Sequence, residues 1–409
     1  MTIFNFTVRA TDDLGAFSDR NFSINVRNTV VERFVASTNE GHLLTSVDAV
    51  NWTYRHNLLT TPSSVTVAFG NVINGNGFWL VTKSQNTYLY SKDAINWVEY
   101  SFPAGYFLVS YTSNKSEFAY GDGKIAILMS SSATTSNSSG NTTVVMATTE
   151  NGIDWTLSNP IGTNLNNGRF TRLAYGDGRW ITNHFGIVSG TLGPTNKPIV
   201  GYTTTNNGET WAPVYTFGYG NNDNIPRTSP MFFNGLWLMF QRTTAASYYL
   251  TSNDGVVWNT TQYPSNSAFP YMFNRILYGN GLLVAYPDAT TSAGSAFDMA
   301  VFTSTNGTTW DKTTLTEANS LLNGTVTGTA YYSFGTTTST QGYITGVYHN
   351  GKYIFATQST VTAVGTAGNE NSGGMISSTD GINWSKINIM NAAGTSSKVS
   401  IQGLAALRQ

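Results

Sequence analysis

The chain has 409 residues, too long for one ordinary core and short for three, so one large repeat domain or two domains are expected. Charged residues make up only 11%, with Ser, Thr, Asn and 40 Gly in their place, which excludes a coiled coil or helical bundle. Twenty-one basic against 22 acidic residues leave a net charge of -1 and no electrostatic case for nucleic acid. No stretch approaches the roughly 18 consecutive apolar residues of a membrane span. With no cysteine there is no disulfide, thiolate metal site or Cys nucleophile, and no cofactor motif is present.

Residues 1–30 alternate as two strands, Phe4 to Ala10 and Arg20 to Val26, around an Asp12-Asp13-Leu14-Gly15 turn. Phe4, Phe6 and Val8 share one face of the first strand, and Phe22, Ile24 and Val26 one face of the second. A lone hairpin is marginally stable, so that apolar row is expected to be covered by another polypeptide, a second copy of this chain included. The segment resembles the last two strands of a cadherin-like or putative-Ig sandwich, a repeat of bacterial surface and phage structural proteins. Asp12 and Asp13 read as a solvated turn more readily than as calcium ligands. The start, MTIFNFTVRATDD, shows no basic region followed by an apolar run, so no Sec-type signal is expected.

From residue 31 onward one segment recurs seven times: Ser/Thr, any residue, Asp/Asn, usually Gly, two residues, Trp. The copies are SVDAVNW, SKDAINW, TENGIDW, TNNGETW, SNDGVVW, STNGTTW and STDGINW. They place Trp52, Trp97, Trp155, Trp211, Trp258, Trp310 and Trp384 at one repeat position, seven of the ten tryptophans. Asp-Gly and Asn-Gly favour a tight turn, and the Trp ring suits burial between neighbouring sheets. Ala49 and Ala94 replace Gly in the first two copies, which predicts strained or different turns there.

A second motif, strand, Gly-containing turn and strand, precedes six of these turns, as in AYGDGKIAIL and LYGNGLLVAY. The first Trp turn lacks a leading strand, since the chain enters at Arg33 with RFVAST, while SIQGLAALRQ at 400–409 is a leading strand with nothing after it. The two fragments complete one blade. The expected fold is all-β: a seven-bladed β-propeller over 31–409, closed by pairing Ser400 to Leu407 with Arg33 to Thr38 and preceded by the 1–30 hairpin.

The repeat resembles the sialidase-type Asp box, or BNR repeat, with one residue fewer between Asp and Gly in every copy, and the resemblance spans Arg33 to Gln409. It implies the fold. A sialidase site would need three arginines, a Tyr/Glu nucleophile pair and an Asp acid. Aligning the inner strands puts Asn71, Glu117, Arg172, Ser229, Arg275 and Thr345 at one level. Glu117, Arg172 and Arg275 are therefore candidate ligands for a carboxylated sugar, and an ion pair of the Glu117–Arg172 kind filling the ring is the simpler reading. The third arginine and the Arg-Ile-Pro element are missing; Ile225-Pro226-Arg227 has another order. His42, His56, His184 and His349 lack metal-pair spacing, so no metal is expected. Tyr215 and Tyr219, in a Gly- and Asn-rich stretch, are candidate sugar-stacking rings.

These features together lead to the expectation of a non-enzymatic virion structural protein, of tail-fibre, baseplate or decoration type. It would be released by lysis as part of an extracellular particle, with other virion proteins and a host-surface glycan as partners. A sialidase-like glycoside hydrolase and a bacterial surface or secreted scaffold propeller are the alternatives.

Overall fold

The computed structural model describes residues 2–26, 31–38, 41–57, 69–109, 117–131, 143–161, 169–170, 173–185, 199–217, 230–242, 247–263, 273–287, 300–315, 344–357, 375–387, 389 and 401–408. Every regular element among them is a β-strand, as the low charge and abundance of Thr, Val, Tyr and Phe require. Strands β1 (Thr2–Thr11) and β2 (Phe17–Val26) form a two-stranded antiparallel sheet that pairs with no other strand among the described residues. The remaining strands form seven antiparallel sheets of four or five strands, the blades of a seven-bladed β-propeller.

Blade 1 is assembled from both ends of the ring. Its order is Ile401–Ala406, β3 (Phe34–Thr38), β4 (His42–Ser46) and β5 (Thr53–Asn57). The register runs from Phe34 opposite Ala406 to Thr38 opposite Ile401, with a bulge between Ser37 and Thr38. Leu407 N–H continues the ladder to Arg33 O at 2.7 Å. The C-terminal strand thus caps the edge of β3 that an open ring would expose. Blades 2 to 7 follow in chain order over 72–101, 107–157, 169–217, 231–262, 273–314 and 344–387.

Blade packing places the apolar core between neighbouring sheets. Phe78 and Leu80 of blade 2 meet Ile125 and Ile127 of blade 3, and Leu277 and Val284 of blade 6 meet Tyr353 and Phe355 of blade 7. Trp79, Trp180 and Trp237, at the same point of three blades, are fully buried.

Up-and-down connectivity puts the turn after the first strand and the turn after the third strand of each blade on one end of the ring, here the turn face. Cross-blade bonds confirm the placement. Asn76 Nδ2 in the first turn of blade 2 donates to Gly123 O at 2.6 Å and Glu150 O at 2.9 Å in blade 3. Lys352 Nζ in blade 7 donates to Asp48 O in blade 1 at 3.1 Å. The first turns are the Asn-Gly and Asp-Gly pairs at 76–77, 122–123, 177–178, 234–235, 280–281 and 350–351, with positive φ at both residues as a type I′ hairpin requires. Just before them, an aromatic ring lies over the small residue of the preceding blade. A Cβ built on Gly121 would sit 2.0 Å from Tyr175 Cγ, so only glycine admits that ring.

The Trp turns follow another geometry. In blade 1, Ser46 Oγ accepts from Ala49 N at 2.9 Å, and Asp48 Oδ1 accepts from Val50 N and Asn51 N at 2.8 Å each. Trp52 Nε1 then donates to Ala49 O at 3.2 Å. The same bonds recur around Asp93, Asp254, Asn306 and Asp380. Only the Gly position has positive φ in these turns, and Ala49 (φ 64) and Ala94 (φ 61) take it unchanged. Blades 1 and 2 therefore keep the common turn and hold alanine in a left-handed conformation, at a cost of roughly 1–2 kcal/mol each.

Blade 4 corrects the repeat spacing. Its hydroxyl is Thr204 Oγ1, which accepts from Gly208 N at 3.0 Å, and Asn206 Oδ1 accepts from Thr210 N at 3.0 Å. The span Thr204-x-Asn206-x-Gly208-x-x-Trp211 retains the residue absent from the other six copies. Asn207 occupies it with φ 54 and accepts the indole N–H of Trp180 at 3.0 Å.

Candidate functional site

The first, innermost strand of each blade runs from the opposite, loop face toward the turn face, and the residues five before the turn asparagine or aspartate in chain position are those the alignment puts at one level. Of the six aligned there, Asn71, Glu117, Arg275 and Thr345 are described; Arg172 and Ser229 lie outside the described residues. Arg275 Nη1 donates to Glu117 Oε2 at 2.9 Å, and Nη2 reaches Gly346 O at 3.4 Å. Glu117 leads into blade 3, Arg275 is in blade 6 and Gly346 in blade 7. Blades 3 and 6 are three apart in a ring of seven, the greatest separation it allows, so the ion pair crosses the axial channel.

That pairing was not legible in the sequence. Alignment brought the two residues to one level, but the expected partner of Glu117 was Arg172, in the next blade. Only the closed ring shows that a Glu and an Arg from opposite sides meet over the axis. Both side chains are mostly buried, at 17% and 26% exposure, so the pair is screened less than a surface bridge. Arg275 Nε is buried without a hydrogen-bond partner. The guanidinium therefore keeps donor capacity beyond Glu117, the chemistry that recognises a carboxylate or a cluster of hydroxyls. Thr345 is buried in the blade 7 strand Ile344–His349.

The backbone of Tyr215 lies in the outer strand Ala212–Phe217 of blade 4, opposite Gly201. Tyr219 and Ile225-Pro226-Arg227 lie outside the described residues. The structure therefore brings Glu117 and Arg275 together and leaves Tyr215 at the edge of its blade.

In the hairpin, Phe4 is opposite Ile24, Phe6 opposite Phe22 and Val8 opposite Arg20. The Phe6 and Phe22 rings stack at 5.5 Å yet remain 44% and 47% exposed. On the other face Thr7 Oγ1 donates to Asn21 Oδ1 at 2.6 Å, and Arg9 makes two bonds of 2.7 Å to Asp19 and lies over the exposed Phe17 ring. At the turn, Asp12 Oδ1 accepts from Leu14 N and Ala16 N, so that oxygen serves the turn. Among the described residues no group of three His, Asp or Glu side chains is placed to hold a metal ion.

No protein-family model matches the chain, and no curated protein matches it. Solved structures similar to it include the Aleuria aurantia lectin, a fungal six-bladed propeller that recognises fucose. It has 13% identity and a TM-score of 0.41, over 76% of this chain and 93% of that one. The Penicillium chrysogenum alpha-L-arabinanase has 14% identity and a TM-score of 0.42, over 87% of this chain and 94% of that one. The Trypanosoma rangeli sialidase has 10% identity and a TM-score of 0.39, over 87% of this chain and 56% of that one. At these levels the likeness concerns the fold alone. The expectation of a non-enzymatic chain is nonetheless corrected: the similar structures are mostly glycoside hydrolases, with lectins beside them, so this architecture does not mark the chain as lacking catalysis.

Proposed function

We propose that the chain is a virion structural protein of tail-fibre, baseplate or decoration type, in which residues 1–30 attach a propeller head (31–409) to the particle and the loop face of that head binds a host-surface glycan. The observation that carries the reading is the hairpin. Among the described residues it is a two-stranded sheet with two free edges, one face whose polar groups bond one another and one exposed apolar face. A sheet of that kind gains most of its stability from whatever covers the apolar side. Phe4, Phe6, Val8, Phe22, Ile24 and Val26 are the attachment residues in this reading.

The glycan part rests on the chemistry at the loop face. Glu117 and Arg275 offer a charged pair with spare donors at the axis. The sequence stretches 132–142 and 218–229 are rich in Ser, Asn, Thr and Gly, whose hydroxyls and amides pair with sugar hydroxyls. The test has two arms. A chain lacking residues 1–30 should keep the ring and lose incorporation into the particle; normal incorporation sinks the attachment reading. On a glycan array the intact chain should retain specific glycans and Arg275→Met should lose them; equal retention by both sinks this site. Recovering the bound glycans whole or cleaved decides between binding and hydrolysis.

A further inference from the structure

Exposed large apolar side chains are not scattered over the described surface. Apart from Val31 and Tyr278 they fall in two places, the hairpin and the Trp turns. In the turns, the residue after the left-handed position is Val50, Ile95, Ile153, Val256 or Ile382 in five of the seven blades, each 40% exposed or more. Each is fixed by its own backbone N–H bonded to the turn Asp or Asn, so these aliphatics are rigidly presented at the same point of each blade. Blade 4, with its longer turn, carries Glu209 there, and blade 6 carries Thr308. The unbroken arc therefore runs over blades 7, 1, 2 and 3, through Ile382, Val47, Val50, Ile95, Val98 and Ile153.

The hairpin leaves the ring from the middle of that arc. β3 is the second strand of blade 1, so its first residue, Phe34, lies on the turn face. Seven residues separate Val26 from Phe34, a reach of about 24 Å when extended. The charges on the two apolar surfaces also match. Arg20 stands opposite Val8 on the hairpin's apolar face and has no ion-pair partner among the described residues. The arc carries Asp48, Asp93, Asp154 and Asp380 between its aliphatics.

We infer that two copies of this chain associate turn face to turn face by exchanging hairpins, the apolar side of each hairpin lying on the Ile382–Ile153 arc of the other copy with Arg20 among its aspartates. Area favours the exchange over a one-sided contact. One hairpin face of ten residues by two strands covers about 340 Å², so a single docking buries about 700 Å² in all and a reciprocal one about 1,400 Å². Only the latter reaches the roughly 1,200–2,000 Å² of stable interfaces. The exchange also leaves both loop faces pointing outward.

This inference rests on the attachment reading and names the partner. The test is sedimentation velocity on the intact chain and on Phe22→Asp and Ile95→Asp variants, with urea midpoints as a folding control. The intact chain should dimerise with rising concentration, and each variant should sediment as a monomer with an unchanged midpoint. Mixing the two variants should restore no stable dimer, because only one docking of about 700 Å² remains, the hairpin of Ile95→Asp on the arc of Phe22→Asp. A monomeric intact chain at every concentration overturns the inference, as does a dimer that Ile95→Asp leaves intact or a mixture that dimerises as tightly as the intact chain. If Phe22→Asp blocks incorporation into the particle while Ile95→Asp changes nothing, the attachment reading stands and this inference alone falls.

Discussion

Gly152→Ala in blade 3 tests how the Trp turns are locked to the preceding blade. Gly152 has φ 77, so any Cβ there carries the left-handed cost of roughly 1–2 kcal/mol that Ala49 and Ala94 already bear. Space separates the cases. A Cβ on Gly152 would lie 2.6 Å from Phe78 Cε2 and 2.9 Å from Tyr90 Cδ2, two stacked rings that have no free end to move aside. Forcing a methyl into such a contact costs about 1–3 kcal/mol more, for a total of about 2–5 kcal/mol. Ala49 instead sits fully buried among the aliphatic side chains around Ile354 and Ile387, where its methyl fits. Ala49→Gly should accordingly be close to neutral, since relieved backbone strain offsets the lost methyl contact. Urea unfolding of both variants gives the comparison. A Gly152→Ala protein within about 0.5 kcal/mol of the parent, or an Ala49→Gly protein that loses more than Gly152→Ala, would refute the reasoning.

Three further outcomes follow from the geometry. Deleting residues 400–409 uncovers the β3 edge and should sharply lower solubility; a truncated chain that melts and dissolves like the parent contradicts closure by this strand. Arg275→Met removes the cross-ring bond to Glu117 Oε2 and should cost about 2 kcal/mol in urea unfolding, whereas Glu117→Gln, which keeps an acceptor, should cost less; equal and negligible losses would show that the pair does not brace the ring. Burial alone would raise the Asp93 carboxyl, but bonds from Asn96 N and Nδ2, Ile95 N and the Ser91 hydroxyl outweigh it and hold the group down at about 2. The unfolded carboxyl titrates near ~3.9, so this contribution is complete above about pH 4 and is lost as pH falls through about 2. Urea midpoints of Asp93→Asn should therefore fall less steeply with acid than those of the parent over that window, and parallel curves would contradict the assignment.

The ring was legible because its determinants are local and repeated. The seven Trp turns and the complementary fragments at Arg33 and Ser400 fixed blade number and closure without any long-range information. What the sequence hid depends on which blades face each other. Thr204 rather than Thr205 serves as the turn hydroxyl of blade 4, because the extra residue is absorbed by a left-handed Asn207 that meets Trp180. Ala49 and Ala94 pass as irregularities until their φ values show the common turn, with room for a methyl. Glu117 and Arg275 are 158 positions apart, and nothing local pairs them. The Val and Ile that follow the left-handed turn residue in five blades look like ordinary variation in a string of letters. Closing the ring is what brings them onto one face with the root of the hairpin.

Hydrogen exchange on the intact chain, followed peptide by peptide from dilute solution into its assembled state, tests the central claim most directly. Residues 34–38 and 401–406 should be protected throughout, because the ring is closed in both states. Residues 2–26 should exchange rapidly when dilute and become protected on assembly, as their apolar face is covered by a partner. A hairpin already protected in dilute solution, or still unprotected in the assembled state, would contradict the account.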